Sequence, residues 1–515
     1  MIGGVRVKNK LQRYKVLLIL LIFSVILLAV SVSRFSYIFG ALELLAIVLC
    51  GYLVFFDQRE ASSKFAWMLA LLFLPLFGIL LYFLIGKEPH QRKLPKHQVE
   101  SEKKLQGFVS NLLLEHPEAI HKKHDLSREI YHLSSKHPTT ANHVKVLNKG
   151  KEAFELLLED IENAKDHVHV FFFIIKGDEA GTELTHALMK KASQGVKVRF
   201  MYDSLGSIAF PNQLLNDMRD KGVEVRTYDL LNSPLLSNKA NWRNHRKMVI
   251  VDGQVAHVGG MNIGNEYRGQ GKKFKYWRDT NIRLMGPAVI EVQECFIYDW
   301  LFLDKNHDTL TQFIGNKERY FPLTTIKESL DSEVVQVLYG GPYDEERTIK
   351  DSFVDLIGKA TQSIKIAMPY FIPDEETLGA LRRASRCGIK VQLIIPGKGD
   401  RGISYYGTNS FIDELLSAGI EVYAYDRSSF IHCKCMIVDE HIATVGSTNF
   451  DIRSFYLNHE LSLFIYGPSP AVETLAQQFA ADLENAHRID EVMQNERTLL
   501  EKFKEKISAL FVPIL

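Results

Sequence analysis

The stretches "NHRKMVIVDGQVAHVGGMNIG" (244–264) and "IHCKCMIVDEHIATVGSTNFD" (431–451) decide the fold, because they show that the chain uses one pattern twice. In each copy a histidine is followed by a lysine, an aspartate, a glycine and an asparagine at the same spacings. One match to His-x-Lys-x4-Asp is expected by chance only ~0.06 times in a chain of this length. The repeated polar residues are therefore candidates for chemistry: His245, Lys247, Asp252 and Asn262, then His432, Lys434, Asp439 and Asn449.

The repeat extends well beyond these stretches. "IENAKDHVHVFFFII" (161–175) matches "IGKATQSIKIAMPYF" (357–371), and "ALMKKASQGVKVRFMYD" (187–203) matches "ALRRASRCGIKVQLIIP" (380–396). Each pair combines an amphipathic helix with an apolar, β-branched strand. This alternation is typical of an α/β fold with a largely parallel sheet, and two copies predict two such domains in tandem.

The spacing of the motif has a chemical meaning. A histidine and a lysine two residues apart on a strand project from the same face. If the two repeats meet, two imidazoles and two ammonium groups converge on one cleft. Two lysines and two asparagines are able to hold the oxygens of a phosphodiester without a metal, while one histidine attacks phosphorus and the other transfers protons. The sequence therefore predicts a phosphodiester-processing site without a metal or another cofactor.

Each imidazole also needs a partner for its second ring nitrogen. Asp279 in "YWRDTNI" and Glu460 in "YLNHELS" lie at equivalent places downstream of the two motifs. We predict that these carboxylates orient the histidines. We interpret Cys433 and Cys435, which alternate with the polar residues of the second motif, as small core residues and not as metal ligands.

The first 86 residues contain three long apolar runs, Val16–Ser33, Phe35–Phe56 and Phe65–Gly86. Runs of this length are sufficient to cross a hydrocarbon core of about 30 Å. Basic residues flank both ends of the region, and basic flanks favour the cytoplasmic side of a membrane. This rule therefore does not decide between two and three crossings, or on which side of the membrane the rest of the chain lies. We predict a multi-pass membrane protein.

These observations divide the chain into four parts. Residues 1–87 form the membrane region, residues 88–145 a polar, histidine-rich linker, residues 146–325 the first α/β domain and residues 326–515 the second. The formal net charge is +1, but the first 100 residues carry a basic surplus of 7, so the remainder is acidic. An acidic body is a poor match for nucleic acid, and the absence of a G-x4-G-K-[S/T] loop argues against a nucleotide.

A helix is predicted at the end of the chain. Leu499, Phe503, Ile507 and Leu510 lie on one face of it. We predict that this apolar face docks on the body of the protein, with contact to the bilayer as the alternative.

The paired "HRKMVIVD" and "HCKCMIVD", each followed by glycine and asparagine, resemble the HKD signature of the phospholipase D superfamily. The segment "DQREASSKFAWMLALLFLPLFGILLYFLIG" (57–86) resembles the membrane lead of the bacterial cardiolipin synthases. The resemblance implies two tandem phospholipase D-like domains that form one pseudo-symmetric active site, after N-terminal transmembrane helices in a bacterial cell membrane. It counts both motif aspartates among the active-site residues. It also has a serine after the motif glycine, which Ser447 keeps as a substrate contact and Gly260 does not.

The implied reaction is a phosphatidyl transfer. One phosphatidylglycerol gives its phosphatidyl group to the enzyme and a second accepts it, which yields cardiolipin and glycerol through a phosphohistidine. By analogy His245 is the nucleophile and His432 the acid and base, although the symmetry of the sequence does not assign them. Water as acceptor would give a phospholipase D and serine a phosphatidylserine synthase, and a non-catalytic lipid-binding protein is the alternative from another class. The oligomeric state stays open.

Overall fold

The structure is a computed structural model. It describes residues 36–57, 61–86, 96–113, 124–228, 242–304, 309–323, 332–344, 347–490, 494 and 497–511. The described residues fall into two units, one N-terminal unit over residues 36–86 and one larger unit over residues 96–511.

The N-terminal unit consists of helices α1 (Ser36–Phe55), α2 (Ala61–Phe73) and α3 (Pro75–Ile85). The predicted run Phe65–Gly86 is therefore two helices and not one. Pro75 explains the break, because proline lacks an N–H and disfavours helical geometry at the preceding residue. No helix in the described part of the chain is both long and apolar enough to cross a membrane. The predicted run Val16–Ser33 lies outside the described residues.

The larger unit alternates helices and strands. Its helices are α4 (Lys96–Leu113), α5 (Asp125–Ser134), α6 (Gly150–Glu162), α7 (Glu179–Ser193), α8 (Asn212–Asp220), α9 (Ala288–Phe302), α10 (Thr309–Gly315), α11 (Lys317–Tyr320), α12 (Thr348–Gly358), α13 (Glu375–Arg386), α14 (Gly402–Asn409), α15 (Ile412–Ser417), α16 (Ile452–Tyr456), α17 (Pro470–Glu484) and α18 (Leu499–Phe511). Its strands are β1 (Thr139–Leu147), β2 (His167–Phe172), β3 (Lys197–Asp203), β4 (Glu224–Tyr228), β5 (Arg243–Asn244), β6 (Lys247–Val251), β7 (Val255–Gly259), β8 (Trp277–Arg278), β9 (Asn281–Met285), β10 (Glu333–Gly340), β11 (Ser363–Ala367), β12 (Phe371–Ile372), β13 (Lys390–Pro396), β14 (Glu421–Tyr425), β15 (Phe430–Ile431), β16 (Cys435–Val438), β17 (Ile442–Gly446), β18 (Phe450–Asp451), β19 (Asn458–Tyr466) and β20 (Ala486–Arg488).

Both repeats contribute to one continuous sheet. Its order is β20-β14-β13-β11-β16-β17-β19-β10-β1-β9-β7-β6-β2-β3-β4, with β5 beside β19. Along this order, only the described pairs β2–β3, β3–β4, β11–β13 and β13–β14 are parallel. The prediction of an α/β fold agrees with this architecture, but the prediction of a largely parallel sheet is wrong. Helical crossovers give parallel neighbours, whereas β6–β7 and β16–β17 are hairpins and are antiparallel by construction.

The predicted linker, residues 88–145, is different in the structure. It contains α4 and α5, and it leads into β1, which lies between β9 and β10 at the centre of the sheet. Leu105 and Val109, four residues apart on α4, are buried in the main core. The polar composition concealed these apolar positions, and the segment belongs to the body that positions the site.

The C-terminal helix α18 packs on α14, but not through the predicted face. Leu499 is 69% exposed and Phe503 is 56% exposed, whereas Glu505 and Ser508 are buried. Arg497 explains this orientation, because it binds Asp413 and Glu505 and so fixes the polar face inward. The side chain of Leu510 lies outside the described residues.

Candidate active site

Each motif segment lies beside a strand of the other repeat. Strand β5 pairs in parallel with β19, and the backbone N–H of His245 donates to the carbonyl of His459 at 2.9 Å. Strand β15 pairs in parallel with β8, and the backbone N–H of His432 donates to the carbonyl of Arg278 at 2.7 Å. Both histidines lie just before β6 and β16, respectively, and not within them. The repeats therefore exchange backbone contacts at the motifs.

The same exchange gives each histidine a carboxylate from the other repeat. Nδ1 of His245 lies 3.0 Å and 3.2 Å from the two carboxylate oxygens of Glu460. Nδ1 of His432 lies 2.7 Å from Oδ2 of Asp279. Both carboxylates are buried. These contacts favour the tautomer with the proton on Nδ1, which leaves a lone pair on Nε2 of each imidazole.

Burial keeps both imidazoles neutral near pH 7. It lowers the pKa of His245 to about 4, and the nearby Glu460, which raises the pKa, only partly offsets this effect. Burial and the neighbouring Lys434 lower the pKa of His432 to about 4. Burial also opposes ionisation of Glu460, but His245 and Lys247 outweigh it and hold the pKa of Glu460 below its ordinary value. A neutral imidazole beside an ionised carboxylate is a competent nucleophile.

The motif lysines are buried in the same environment. Nζ of Lys247 donates to the carbonyl of His245, and Nζ of Lys434 donates to the carbonyl of His432 at 2.5 Å. Burial lowers the pKa of both lysines, and each ammonium also lowers the pKa of the other repeat's histidine. A Cβ on Gly260 would lie 3.0 Å from Cδ of Lys434, so the second motif packs on the first. The motifs share one electrostatic environment suited to an anion.

Ser447 lies differently from the predicted substrate contact. Its hydroxyl is buried, donates to Glu460 and accepts the N–H of Leu461 at 2.9 Å. At the equivalent Gly260, a Cβ would come within 2.3 Å of Oδ1 of Asp279. Serine therefore supports the carboxylate in one half, whereas glycine makes room for it in the other.

The two asparagines are not equivalent. Oδ1 of Asn262 accepts the N–H of Ile174 at 3.0 Å, and its Nδ2 donates to the hydroxyl of Tyr267 at 3.1 Å, so both ends serve the fold. Asn449 is also buried, but among the described residues its Oδ1 has no hydrogen-bond partner. Of the two motif asparagines, Asn262 is therefore committed to the fold at both ends, whereas the amide oxygen of Asn449 is not.

The motif aspartates lie away from the histidines. Asp252 accepts the backbone N–H groups of Lys165, Asp166 and His167, each at 2.8 Å. Asp439 accepts those of Thr361, Gln362 and Ser363, also at 2.8 Å. Five residues of strand, roughly 16 Å, separate each aspartate from its motif lysine. The structure thus corrects the active-site assignment of both aspartates, because they fix the entry of β2 and β11.

Two buried ion pairs behind the site did not emerge from the sequence as functional. Arg246 binds Asp299 and donates from Nε to the carbonyl of Glu460 at 3.0 Å. Arg278 binds Asp482 at 2.9 Å and donates to the carbonyl of Asp279 at 2.6 Å. Each arginine thus holds the backbone of a carboxylate residue that orients a histidine. One signal in the sequence could have identified these pairs: Asp299 and Asp482 occupy equivalent positions on the apolar helices α9 and α17.

Within the described ranges, no group of three or more His, Cys, Asp or Glu side chains is arranged to hold a metal ion. Aromatic rings surround the imidazoles instead. The ring of Phe173 lies 5.0 Å from that of His245, and the ring of Trp277 lies 5.3 Å from that of His432. The site combines neutral imidazoles, buried cations and apolar walls, which suits the phosphodiester of a lipid.

Comparison with known proteins agrees with this chemistry. Residues 157–293 and 353–485 match the family model "Cardiolipin synthase, PLD-like domain", and residues 44–87 match "Phospholipase_D-nuclease N-terminal". Among solved structures, a phosphatidylserine synthase of Haemophilus influenzae has a TM-score of 0.58 at 18% identity and covers 76% of this chain and 100% of its own. At this identity the likeness concerns the fold alone.

Relatives of known name cover almost the whole chain. Cardiolipin synthase 1 of Bacillus cereus is 36% identical over 511 residues, which are 97% of this chain and 99% of the relative. The major cardiolipin synthase of Bacillus subtilis is 38% identical over 495 residues, or 93% and 99%. With both repeats matched by the family model, the chain belongs to the bacterial cardiolipin synthases of the phospholipase D superfamily.

Proposed function

We propose that the protein transfers a phosphatidyl group from one phosphatidylglycerol to another, giving cardiolipin and glycerol, and that the two motifs form a single active site. The observation that carries this proposal is the crossed pairing of His245 with Glu460 and of His432 with Asp279. Each motif histidine thus takes its carboxylate from the other half. The near-full-length likeness to cardiolipin synthases supports the choice of substrate.

In the first half-reaction, Nε2 of His245 attacks the phosphorus of the donor lipid. A P–N bond forms, the P–O bond to glycerol breaks, and the glycerol oxygen takes a proton from Nε2 of His432. This step needs His432 as the imidazolium. The bound anionic diester supplies the negative charge that raises its proton affinity. Lys247 and Lys434 are the proposed donors to the phosphoryl oxygens through Nζ, and Asn449 is the proposed donor through Nδ2.

In the second half-reaction, a hydroxyl of the acceptor phosphatidylglycerol attacks the same phosphorus. His432 takes the proton of that hydroxyl, a new P–O bond forms, and the P–N bond to His245 breaks. One phosphodiester replaces another at each turnover, so the exchange needs no nucleotide. Because donor and acceptor lie in one bilayer, their encounter is confined to a surface.

The N-terminal unit is the proposed membrane anchor. Its helices expose large apolar side chains, among them Phe55, Phe65 and Phe77. Apolar surface of this kind is stable in lipid and costly in water. The expected multi-pass arrangement in a bacterial cell membrane depends on this unit together with the run Val16–Ser33.

The test supplies the purified protein with vesicles of phosphatidylglycerol and no nucleotide. We expect cardiolipin and free glycerol in equal amounts. Phosphatidic acid as the main product would instead identify a phospholipase D, and phosphatidylserine on addition of serine a phosphatidylserine synthase. No product at all would favour a lipid-binding protein.

Two variants separate the roles of the histidines. His245→Ala removes the nucleophile and is expected to abolish turnover with any donor. His432→Ala should lower activity on phosphatidylglycerol by roughly 10²–10⁴-fold. It should nevertheless release nitrophenol from a phosphatidyl-nitrophenol donor, because that leaving group needs no proton. The exposed His186 on α7 provides the control His186→Ala, and the opposite pattern would reverse the assignment.

A further inference from the structure

The two repeats differ where their parallel strands end. After β3 the first repeat continues with "DSLGSIAFP" (203–211), and after β13 the second continues with "PGKGDRGIS" (396–404). The first of these loops exposes apolar side chains, since Ile208 is 81% exposed. The second exposes Lys398 and Arg401. Duplication alone does not account for a basic loop on one side only.

The basic loop borders a cavity of about 570 Å³ that both repeats line. Lys273 of the first repeat reaches it and donates from Nζ to the backbone carbonyl of Asp400 at 2.6 Å. The carboxylate of Asp400 accepts the hydroxyl of Tyr370 at 2.7 Å and lies 3.9 Å from Arg401. Among the described residues, no carboxylate lies within ion-pair distance of Lys398 or Lys273. Arg427 and Arg497 also line the cavity, as do Glu501 and Glu505, so five cations face three carboxylates, which leaves a local positive charge.

A wall of aromatic rings connects this basic loop with His432. The ring of Phe430 lies 5.9 Å from that of His432, and the ring of Phe274 lies 5.3 Å from that of Phe430. Nζ of Lys273 lies 5.5 Å and Nζ of Lys398 5.7 Å from the ring of Phe274. The cations are therefore neighbours of the His432 side of the active site.

The dimensions fit a second phosphate of the same reaction. Cys435 pairs with Ala367, and Ala367 pairs with Ile394, so two strand spacings, roughly 10 Å, separate Cys435 at the start of β16 from Ile394, two residues before the end of β13. Six single bonds join the two phosphorus atoms across the central glycerol of cardiolipin, a span of roughly 7 Å. A lysine side chain that extends from the loop covers the remaining distance.

We propose that Lys273, Lys398 and Arg401 form a subsite for the phosphodiester of the acceptor lipid, the one that is not transferred. This inference rests on the proposed function, because it presumes an acceptor that carries its own phosphate. The subsite selects phosphatidylglycerol over water and over uncharged alcohols.

The position of the subsite also assigns the histidines independently of any analogy. The acceptor hydroxyl lies three carbons from its own phosphate, so that phosphate and the acid–base histidine must be on the same side. The leaving glycerol of the donor has no second phosphate and needs no such site. The basic loop is connected to His432 through the rings of Phe274 and Phe430, which makes His432 the proton carrier and His245 the nucleophile.

The test compares two acceptors that compete for the same phosphohistidine. Vesicles of phosphatidylglycerol are supplied with methanol, and the ratio of cardiolipin to phosphatidylmethanol is measured. In the double variant Lys273→Gln, Lys398→Gln we expect this ratio to fall at least tenfold, and in each single variant to fall by less. Since both products arise from one intermediate, the ratio reports acceptor selection and not the donor step.

Two controls complete the test. Lys398→Arg keeps the charge and should keep the ratio, and Lys221→Gln removes an exposed lysine at the opposite end of the strands. An unchanged ratio in the double variant would overturn the subsite. Wild-type protein that makes no cardiolipin would instead overturn the proposed function.

Discussion

The two halves of the active site perform the same task with different residues. Glu460 is held by the hydroxyl of Ser447 and by Nδ2 of Asn458, the latter at 3.2 Å. Asp279 has neither contact and accepts the backbone N–H of Thr280 at 2.8 Å. The carboxylate of the His245 side is thus fixed by side chains, whereas that of the His432 side is fixed by its own backbone.

The arginines behind the site make the same point. Arg246 directly follows the first motif histidine, and the equivalent residue of the second motif is Cys433. On the other side Arg278 directly precedes its carboxylate, and the equivalent residue there is His459. Both guanidinium groups nevertheless bind an aspartate on an equivalent helix. Both halves therefore retain a buried arginine–aspartate pair behind the carboxylate, although the arginine comes from different positions in the two repeats.

Replacing the orienting carboxylates by amides tests this comparison most severely. Glu460→Gln and Asp279→Asn should each lower the turnover number by roughly 100-fold or more, because an amide no longer stabilises the imidazolium or selects its tautomer. Asp279 raises the pKa of His432. Its loss should therefore shift the alkaline limb of the pH–rate profile to lower pH, as measured by the initial rate of cardiolipin formation.

The matched control is Glu473→Gln, which removes an exposed carboxylate from α17. If the profile of Asp279→Asn lost amplitude but kept its alkaline limb, Asp279 would act only through structure. Equal pH shifts in the two variants would mean that the halves do not differ in their protonic roles.

Exchanging the serine and the glycine is a milder test of the same difference. Ser447→Gly removes a hydrogen bond to a charged group, a contact of about 1.5 kcal/mol or more, and should lower kcat/KM roughly tenfold. Gly260→Ser should cost a similar factor for the opposite reason, because its Cβ would displace Asp279. Rates with phosphatidylglycerol vesicles check both, and tolerance of Gly260→Ser would show that the halves are interchangeable.

The sequence was informative about chemistry and less so about neighbours. The repeated spacing identified the two histidines and the two carboxylates as candidates, because residues at equivalent positions of a repeated strand lie on the same face of that strand. It did not reveal that each pair is formed across the repeats. That fact depends on β5 lying beside β19 and β8 beside β15, two contacts between residues far apart in the chain.

Local pattern also misled in two places. The spacing of apolar residues along β10 and β19 does not depend on the direction of the neighbouring strand. The sequence therefore did not predict their antiparallel pairing at the centre of the sheet. The polar composition of residues 88–145 suggested a linker, although β1, which begins in this stretch, pairs with a strand of each repeat. In both cases the missing information is tertiary.

The motif aspartates stabilise the fold around the site and do not contact the motif histidines. Their substitution is therefore expected to have the smallest effect on catalysis. Burial opposes ionisation of Asp439, but hydrogen bonds from Ser363 and Thr361 outweigh it and hold its pKa below the ordinary value. The carboxylate therefore stabilises the fold above the unfolded-state pKa, and this contribution is lost as pH falls through the folded-state pKa. Asp439→Asn should lower the melting temperature at pH 7 by roughly 2–6 °C, since about 1–2 kcal/mol is lost.

Below the melting transition, the folded Asp439→Asn variant should keep cardiolipin synthesis within about twofold of wild type, because polar contacts distant from the reacting atoms act on stability. Thermal melts recorded at decreasing pH provide the second measurement, and the difference from wild type should begin to shrink below the unfolded-state pKa and close as pH falls through the folded-state pKa. A loss of turnover as large as that of Glu460→Gln, with an unchanged melting temperature, would place this aspartate in catalysis after all. Asp252→Asn tests the effect on melting temperature and turnover at pH 7 in the first repeat, where three backbone N–H groups donate to the carboxylate.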